Sequence, residues 1–486
     1  MTRLTLSLFL LFLAIVPVAF AQEPVFTWGT AIDREPRELQ NMHVVGISQD
    51  SGFFATYTEE EKTTLERYNR HHQRIWATVL LPRTPENQAA VYHDAIVLQH
   101  RVYMISTSLK KGTTTVFAQE ITANGNYVPQ IQPLLQVKHA GSLHLATTRL
   151  NDLLLATLSD QEKKTTTVAL LEANLKPRWE RSFSTRAVAV QTHLLDNGTA
   201  YVLAKSPPAE AAAKSYLLYR LKDGSKPDET AIGQEKQRPL QAKITTTASQ
   251  QVVVAGYYSS ASEPTTENPV LAGTFYYRFN QEQPRKKVTR FTPFSAEELM
   301  KHNRYRQDPD STKWLRHLQL QQLLPVPYGG VLVLGEVTYT AATPASLVQH
   351  QEDILAVMLE EDGSPYYTTS IYKKQVSPNN NENVGSFMAT TSGNYLQLLY
   401  LDFEYNFTEN DKLVIAGENA SNKEPVLITI LSNGEQQVKP LHRSQTGREQ
   451  PHFYLRPSSA YRISEKEFII LGIGPGYYKY GRVRFQ

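Results

Sequence analysis

Few residues in this chain stand at spacings that could do chemistry, and each set falls short of a requirement. His71 and His72, with His93 and Asp94 downstream, are metal-ligand types. Neighbours on a strand point to opposite faces, so His71 and His72 do not readily share one ion and read as solvated turn histidines. Asn379 to Asn383 (NNNEN) offers oxygens to calcium but lacks the alternating acids and glycine of a calcium loop, and reads as a polar linker. Asp402 and Glu404 lie two apart, on one face of a strand, and glycosidic cleavage needs paired carboxylates. Nothing in the sequence places them in a pocket, and a solvated or salt-bridged pair is the simpler reading. Ser386 has no G-x-S-x-G context for a hydrolase nucleophile, and no glycine-rich phosphate loop is present. Gly472 to Gly481 (GIGPGYYKYG) reads as a turn between strands with no helix after it. No catalytic residue, no metal ligand and no cofactor is therefore assigned. Aromatic and basic residues form the one remaining set, Arg304, Tyr305, Trp314, Tyr339, Lys374 and Tyr405, whose types suit a polar ligand or a peptide.

The elements that must position these residues are strands. The clearest unit runs from Gln322 to Gln375. A short apolar run, Leu323 to Val326, turns at Pro327-Tyr328-Gly329-Gly330 into a buried strand, Val331 to Tyr339. A polar segment follows, then Asp353 to Leu359, the turn Glu361-Asp362-Gly363-Ser364 and a fourth strand, Tyr366 to Tyr372. Four short strands joined by turn signals describe an antiparallel meander, the unit of a propeller blade. Similar units recur at spacings of roughly 40 to 70 residues, a period that points to propellers or solenoids. The first begins at His43, the second at Ala95, the third at Leu143, the fourth at Val188, the fifth at Ala242 and the seventh at Ser386. The eighth has only three strands, Tyr454 to Ile463, Phe468 to Gly472 and Tyr478 to Phe485. Val25 to Ile32 is a strand-like run without a partner. Supplying the missing strand, it would close a ring with no open sheet edge. The expectation is one all-β propeller of eight blades rather than seven, closed by the N-terminal strand. A capping box at Ser295-Ala296-Glu297-Glu298 predicts one short helix inserted within about 292–315.

The chain has 486 residues and begins with one arginine, an apolar run from Leu4 to Val18 and an Ala19-Phe20-Ala21 end. This is the pattern of a secretory signal over 1–21, with residues 22–486 as the propeller domain. No other segment reaches the roughly 18 continuous apolar residues of a membrane helix, so no membrane span is expected. The chain has no cysteine, so neither a lipid-modified cysteine nor a disulfide is possible and burial must hold the fold together. The expected address is secreted or periplasmic, as a monomer. Net charge is +3, with acids and bases interspersed, which does not suggest a nucleic acid partner. Tyrosine, at 26 residues, outnumbers phenylalanine at 18, a bias that fits half-exposed sheet surfaces.

The chain resembles secreted β-propeller proteins of the Bacteroidetes type that carry no established activity. The likeness spans nearly the whole mature chain and is best marked in GGVLVLGEVTY, in DILAVMLEEDGSPYYTTSIYKKQ, at Ser386-Phe387 and over Leu396 to Asn406. These are blade features, so the resemblance implies a fold and an address but no reaction.

Strand alternation divides the connections. Turns between first and second strands, and between third and fourth, fall at one end of the ring; all others fall at the opposite end. The first group reads as tight. The second holds the long segments: Pro207 to Lys214, Ser259 to Pro269, Ala341 to Gln351, Asn406 to Lys423, the helix insertion, Val376 to Gly385 and His442 to Gln450. Long loops in a compact domain are usually functional or disordered. This long-loop face, biased toward units four to eight, is the expected surface for a protein, peptide or glycan partner. The function expected is binding or scaffolding. The alternative is a propeller enzyme, a hydrolase or lyase acting on carbohydrate or peptide. Three or more acidic, histidine or arginine side chains around one axial pocket would favour the enzyme; a channel of small apolar residues and threonine would favour binding.

Overall fold

The computed structural model describes residues 23–36, 39–138, 140–160, 162, 164–207, 215–260, 269–280, 287–295, 313–342, 347–378, 385–392, 395–403, 423–441 and 454–485. Eight four-stranded antiparallel sheets follow one another along the chain, two of them with a short additional strand. Blade 1 is Gln40–Ile47, Phe53–Glu59, Lys62–Tyr68 and Arg74–Val79; blades 2, 3, 4 and 5 start with Val91–Leu98, Ser142–Thr147, Val188–Leu194 and Gln237–Thr246. Blade 6 is Leu318–Pro325, Val331–Ala342, Leu347–Leu359 and Pro365–Ile371; blade 7 starts with Phe387–Ser392. The last blade takes Tyr454–Arg462, Glu467–Gly474 and Tyr477–Arg484 from the C-terminal end, and Val25–Trp28 supplies its outer strand. Val25 pairs with Arg484 and Trp28 with Gly481, antiparallel. The molecule is a β-propeller of eight blades closed by its N-terminal strand. The fourth blade's last strand is Asp228–Ile232.

Burial explains the sequence pattern. Middle strands are covered on both faces by adjacent blades and read as continuous runs, such as Leu153–Asp160 (LLLATLSD), all buried. Outer strands face water on one side and alternate, as in Arg74–Val79. Core clusters bridge blade boundaries: Ile105 and Val116 of blade 2 pack with Leu154 and Leu158 of blade 3. Leu332 and Leu334 of blade 6 pack with Leu398 and Tyr400 of blade 7. Across the closure, Tyr57 and Tyr68 of blade 1 pack with Tyr478 and Tyr480 of blade 8. There the buried Glu66 carboxylate accepts hydrogen bonds from Tyr68 Oη at 2.6 Å, Tyr478 Oη at 2.8 Å and Arg74 Nη1 at 2.9 Å.

Many tight turns share one geometry. In the turn from Glu360 to Ser364, Gly363 N–H donates to the Glu360 carbonyl at 2.9 Å and Glu360 N–H to the Ser364 carbonyl at 2.8 Å. Gly363 sits at φ +81°, the left-handed position that closes this type of hairpin loop. The same bonds recur at Thr122–Asn126 and Leu431–Glu435.

One connection departs from expectation. Of the segment Ala341 to Gln351, read above as a loop, residues 341–342 and 347–351 extend the blade 6 hairpin: past a bulge, Thr338 pairs with Gln351 and Ala342 with Leu347. Val376 to Gly385, read as a linker, begins as strand, with Gln375–Pro378 paired along the other edge of the extension. The paired residues include β-branched and aromatic side chains, such as Thr338, Tyr339, Val348 and Val376, and the strands satisfy their backbone groups on each other. The inserted helix, the NNNEN run and residues 208–214, 261–268, 404–422 and 442–453 lie outside the described residues, as does the leader.

Candidate functional site

The first strands of the blades stand around the central axis, and glutamine ties the first strand of blade 4 to that of blade 5 and the first strand of blade 5 to that of blade 6. In blade 4, Gln191 Nε2 donates to the Ile244 carbonyl at 3.3 Å and Gln191 Oε1 accepts from Ile244 N–H at 3.1 Å. In blade 5, Gln241 does the same to Leu318 O at 2.8 Å and Leu320 N–H at 2.5 Å. Each glutamine follows a bulge, between Ala189 and Gln191 and between Pro239 and Gln241, and the bulge turns the side chain toward the next strand. Blade 2 has the corresponding bulge between Tyr92 and Asp94, so Asp94 takes the glutamine's place. A carboxylate cannot donate and cannot clamp a strand. Asp94 instead caps its own strand through Ala95 N–H at 2.8 Å and faces His43 Nε2 of blade 1 at 3.9 Å.

A cavity of about 530 Å³ opens at this point. Its acidic, histidine and arginine lining is His43, His93, Asp94 and Arg456, from the first strands of blades 1, 2 and 8. Hydroxyls come from Thr56, Thr58, Thr63, Tyr92, Ser458 and Ser459. His43 and Asp94 lie near the starts of first strands, and Thr58 and Thr63 flank the turn between second and third strands. The cavity therefore opens on the long-loop face, at the mouth of the channel, over blades 8, 1 and 2.

Arg456 is buried while His43 and Asp94 are nearly half exposed. Asp94 raises the His43 pKa above its ordinary value; burial opposes this, and a 2.8 Å contact from Nδ1 to the Asn41 carbonyl assists it. Burial lowers the His93 pKa, with Asp94 opposing. The pocket thus holds one carboxylate, one guanidinium and two imidazoles held at different basicities, among hydroxyls. That set can bind a ligand rich in hydroxyl groups, or one bearing a carboxylate, and can exchange a proton at His43. Among the described residues no group of three histidine, aspartate or glutamate side chains could hold a metal ion.

The residues singled out from sequence are spread over the ring. Trp314 sits in a 3-10 turn, Lys313–Arg316, 8% exposed and packed with Tyr257, Leu315 and Leu318 in the core. Tyr339 is half-buried on the hairpin extension, stacked on His350 at 4.5 Å and donating to Glu352 Oε1 at 2.9 Å. Lys374 is half-buried beside Lys373, which is fully buried and ion-paired to Glu336 at 2.6 Å. Arg304, Tyr305 and Tyr405 lie outside the described residues. Trp314, Tyr339 and Lys374 do not line the channel-mouth pocket. Asp402 is buried, not solvated, opposite Glu424; Glu404 lies outside the described residues. His71 and His72 fall in the turn between the third and fourth strands of blade 1, on the short-turn face. His71 is exposed, but His72 is buried against Phe53, which corrects its reading as a solvated residue. His43 and Arg456 escaped the sequence reading. A signal existed for the first: histidines recur at 43, 93, 144 and 193, one on the first strand of each of the first four blades.

No protein-family model matches the chain, and no curated protein matches it. Solved propellers resemble it at low similarity. The WD40 domain of SCAP from fission yeast is 8% identical, with a TM-score of 0.40, over 94% of this chain and 98% of that one. A protein of unknown function from Bacteroides caccae is 11% identical, with a TM-score of 0.30, over 68% and 94%. The β-propeller domain of the trilobed protease from Pyrococcus furiosus is 10% identical, with a TM-score of 0.32, over 85% and 97%. Such scores carry no function, and propellers host binding and catalysis alike.

Proposed function

We propose that this is an exported binding protein that recognises a hydroxyl-rich, anionic ligand, a glycan carrying carboxylate groups, at the channel mouth on the long-loop face. One observation carries this reading: Arg456, His43, His93 and Asp94 converge with six hydroxyl side chains, and Asp94 stands at the bulge position that glutamine fills in blades 4 and 5. Arg456 would take the carboxylate, and the threonines and serines would exchange hydrogen bonds with ring hydroxyls. Export is supported by the leader pattern in the sequence. The test is a panel of neutral glycans, uronate-containing glycans and acidic peptides against the purified mature protein. Binding confined to the uronates, and lost on Arg456→Ala, is the expected result. Neutral glycans binding equally well, or Arg456→Ala binding uronates as before, would overturn it.

A second reading rests on the same convergence. Four acidic, histidine or arginine side chains around one axial pocket meet the criterion set above for an enzyme. A single carboxylate beside imidazole and guanidinium suits proton abstraction next to a substrate carboxylate better than cleavage by a carboxylate pair. In that lyase reaction His43 takes the carbon-bound proton, and the electron pair forms a carbon–carbon double bond and expels the glycosidic oxygen. The oxygen leaves with a proton from solvent. Ultraviolet absorbance from an unsaturated product separates the two readings: its growth with time, abolished by His43→Ala, would establish the lyase.

A further inference from the structure

On the short-turn face, between blades 6 and 7, lies a cavity of about 500 Å³ that belongs to no site described above. Its floor is apolar: Val326, Leu332 and Leu396 are buried there and Met358 is half-buried. Tyrosines stand round the rim on three separate elements. Tyr328 is in the turn after the first strand of blade 6, Tyr366 is on that blade's fourth strand, and Tyr395 opens the second strand of blade 7. They are 72%, 54% and 37% exposed. Elsewhere the protein hides such rings, with Tyr57, Tyr201, Tyr276 and Tyr400 among its most buried side chains. Exposed aromatics grouped around an apolar floor mark a surface that gains by being covered.

One wall is acidic. Glu360, Glu361 and Asp362 come from the end of the third strand of blade 6 and the turn that follows. Glu361 is ion-paired to Arg278 and Asp362 to Arg290, both of blade 5, on the side away from blade 7. Glu360 accepts the Ser364 hydroxyl at 3.1 Å and has no cationic partner among the described residues. The geometry points to a peptide-docking site: an unbranched peptide segment in which an apolar or aromatic side chain enters the pocket between the tyrosines, and an adjacent lysine or arginine reaches Glu360. Charge complementarity selects the basic residue, because the wall offers acceptors and no cation. The apolar floor argues against a sugar, whose hydroxyls would be desolvated there without partners. The pocket volume accommodates one large side chain and its neighbour. The site lies on the opposite face from the channel mouth, so this inference and the function proposed above stand or fall separately.

Met358 provides the probe, since a methionine methyl gives a resolved signal and the chain has 6 methionines. The mature protein, labelled with ¹³C at the methionine methyls, is titrated with acetyl-Phe-Lys-amide, acetyl-Phe-Glu-amide and a neutral disaccharide, with the Met358 signal assigned by Met358→Leu. The lysine peptide is expected to shift Met358 at millimolar concentration and to bind roughly threefold or more tighter than the glutamate peptide, the scale of one exposed charge pair. Glu360→Gln should remove that preference, and Tyr366→Ala, an exposed truncation, should weaken both peptides. No movement of Met358 with either peptide, equal binding of the two, or a shift caused by the disaccharide instead would each overturn the inference.

Discussion

At the scale of single residues, two histidines report on burial. His72 and His193 are both held to a pKa of about 4, in each case chiefly because burial disfavours the charged ring. Their folded-state values lie below the unfolded value, so between about pH 6.5 and 4 the unfolded chain takes up protons that the folded chain refuses. Stability is therefore full above pH 6.5, falls as pH drops through that window and loses no more to these groups below it. For His72, which is 4% exposed, the loss reaches up to roughly 3 kcal/mol. His72 also has a φ of +60°, which asparagine tolerates better than most residues. Melting temperatures from pH 8 to 4 should show a shallower acid slope in His72→Asn than in the parent. An unchanged slope would mean that other groups set the acid response. At the channel mouth, Asp94→Asn should lower the His43 pKa, seen as a shift of the midpoint of its imidazole NMR titration toward lower pH, because Asp94 is the main influence raising it.

At the scale of elements, the turns tie one blade to the next. The glycine closing the turn after a third strand rests on an aromatic ring of the preceding blade. Gly363 does so on Tyr276 and Gly125 on Trp76, while Tyr276 Oη donates to the Glu361 carbonyl at 3.1 Å and Trp76 Nε1 to the Ala123 carbonyl at 2.8 Å. A Cβ at Gly363 would meet Tyr276 Cδ1 at 2.6 Å, whereas Gly476, at φ +73°, has nothing within 4 Å. Gly476→Ala should then cost only the left-handed backbone, roughly 1 kcal/mol. Gly363→Ala should cost that and the displaced ring, roughly 2 to 4 kcal/mol together. Urea unfolding of the two variants measures the difference, and equal values would deny the ring contact any role. The buried pair Lys373–Glu336 makes a second prediction. Lys373 Nζ also donates to Gln375 Oε1 at 2.7 Å and to the Gln351 carbonyl at 3.1 Å, fixing the chain where blade 6 hands over to blade 7. Lys373→Met strands a buried carboxylate and should lose about 3 to 5 kcal/mol. Adding Glu336→Leu should recover much of that loss, and a double variant no more stable than the single one would count against a charge origin.

At the scale of the whole molecule, stability depends on closure. Val25–Trp28 covers the edge of Tyr477–Arg484, and Glu66 links blade 1 to Tyr478 of blade 8. Removing residues 22–29 leaves that edge open to another chain. The truncated protein should melt lower and self-associate with rising concentration in sedimentation experiments, while the parent sediments unchanged. Much of this scale was legible in advance, because alternation, buried runs and turn dipeptides are local signals that repeat. The hairpin extension beyond Tyr339 was not, since polar alternating stretches such as Val348-Gln349-His350 pair only when an edge is available to them. Trp314 shows the same limit from the other side. An aromatic residue near a basic segment looks like a ligand platform in sequence, and only packing reveals it as core.

The sequence by itself determined the strands, their grouping into eight meanders and the N-terminal run that completes the last one. Those features follow from residue periodicity and turn chemistry within a few positions of each other. Only the tertiary structure decided which side chains meet. Arg456, His43 and Asp94 stand far apart in the chain and converge because ring closure sets blade 8 beside blade 1, and a bulge turns Asp94 toward His43. Tyr328 and Tyr395 share a pocket because blades 6 and 7 pack face to face. Contacts of that separation are set by how whole blades pack, and no local pattern in the chain encodes them.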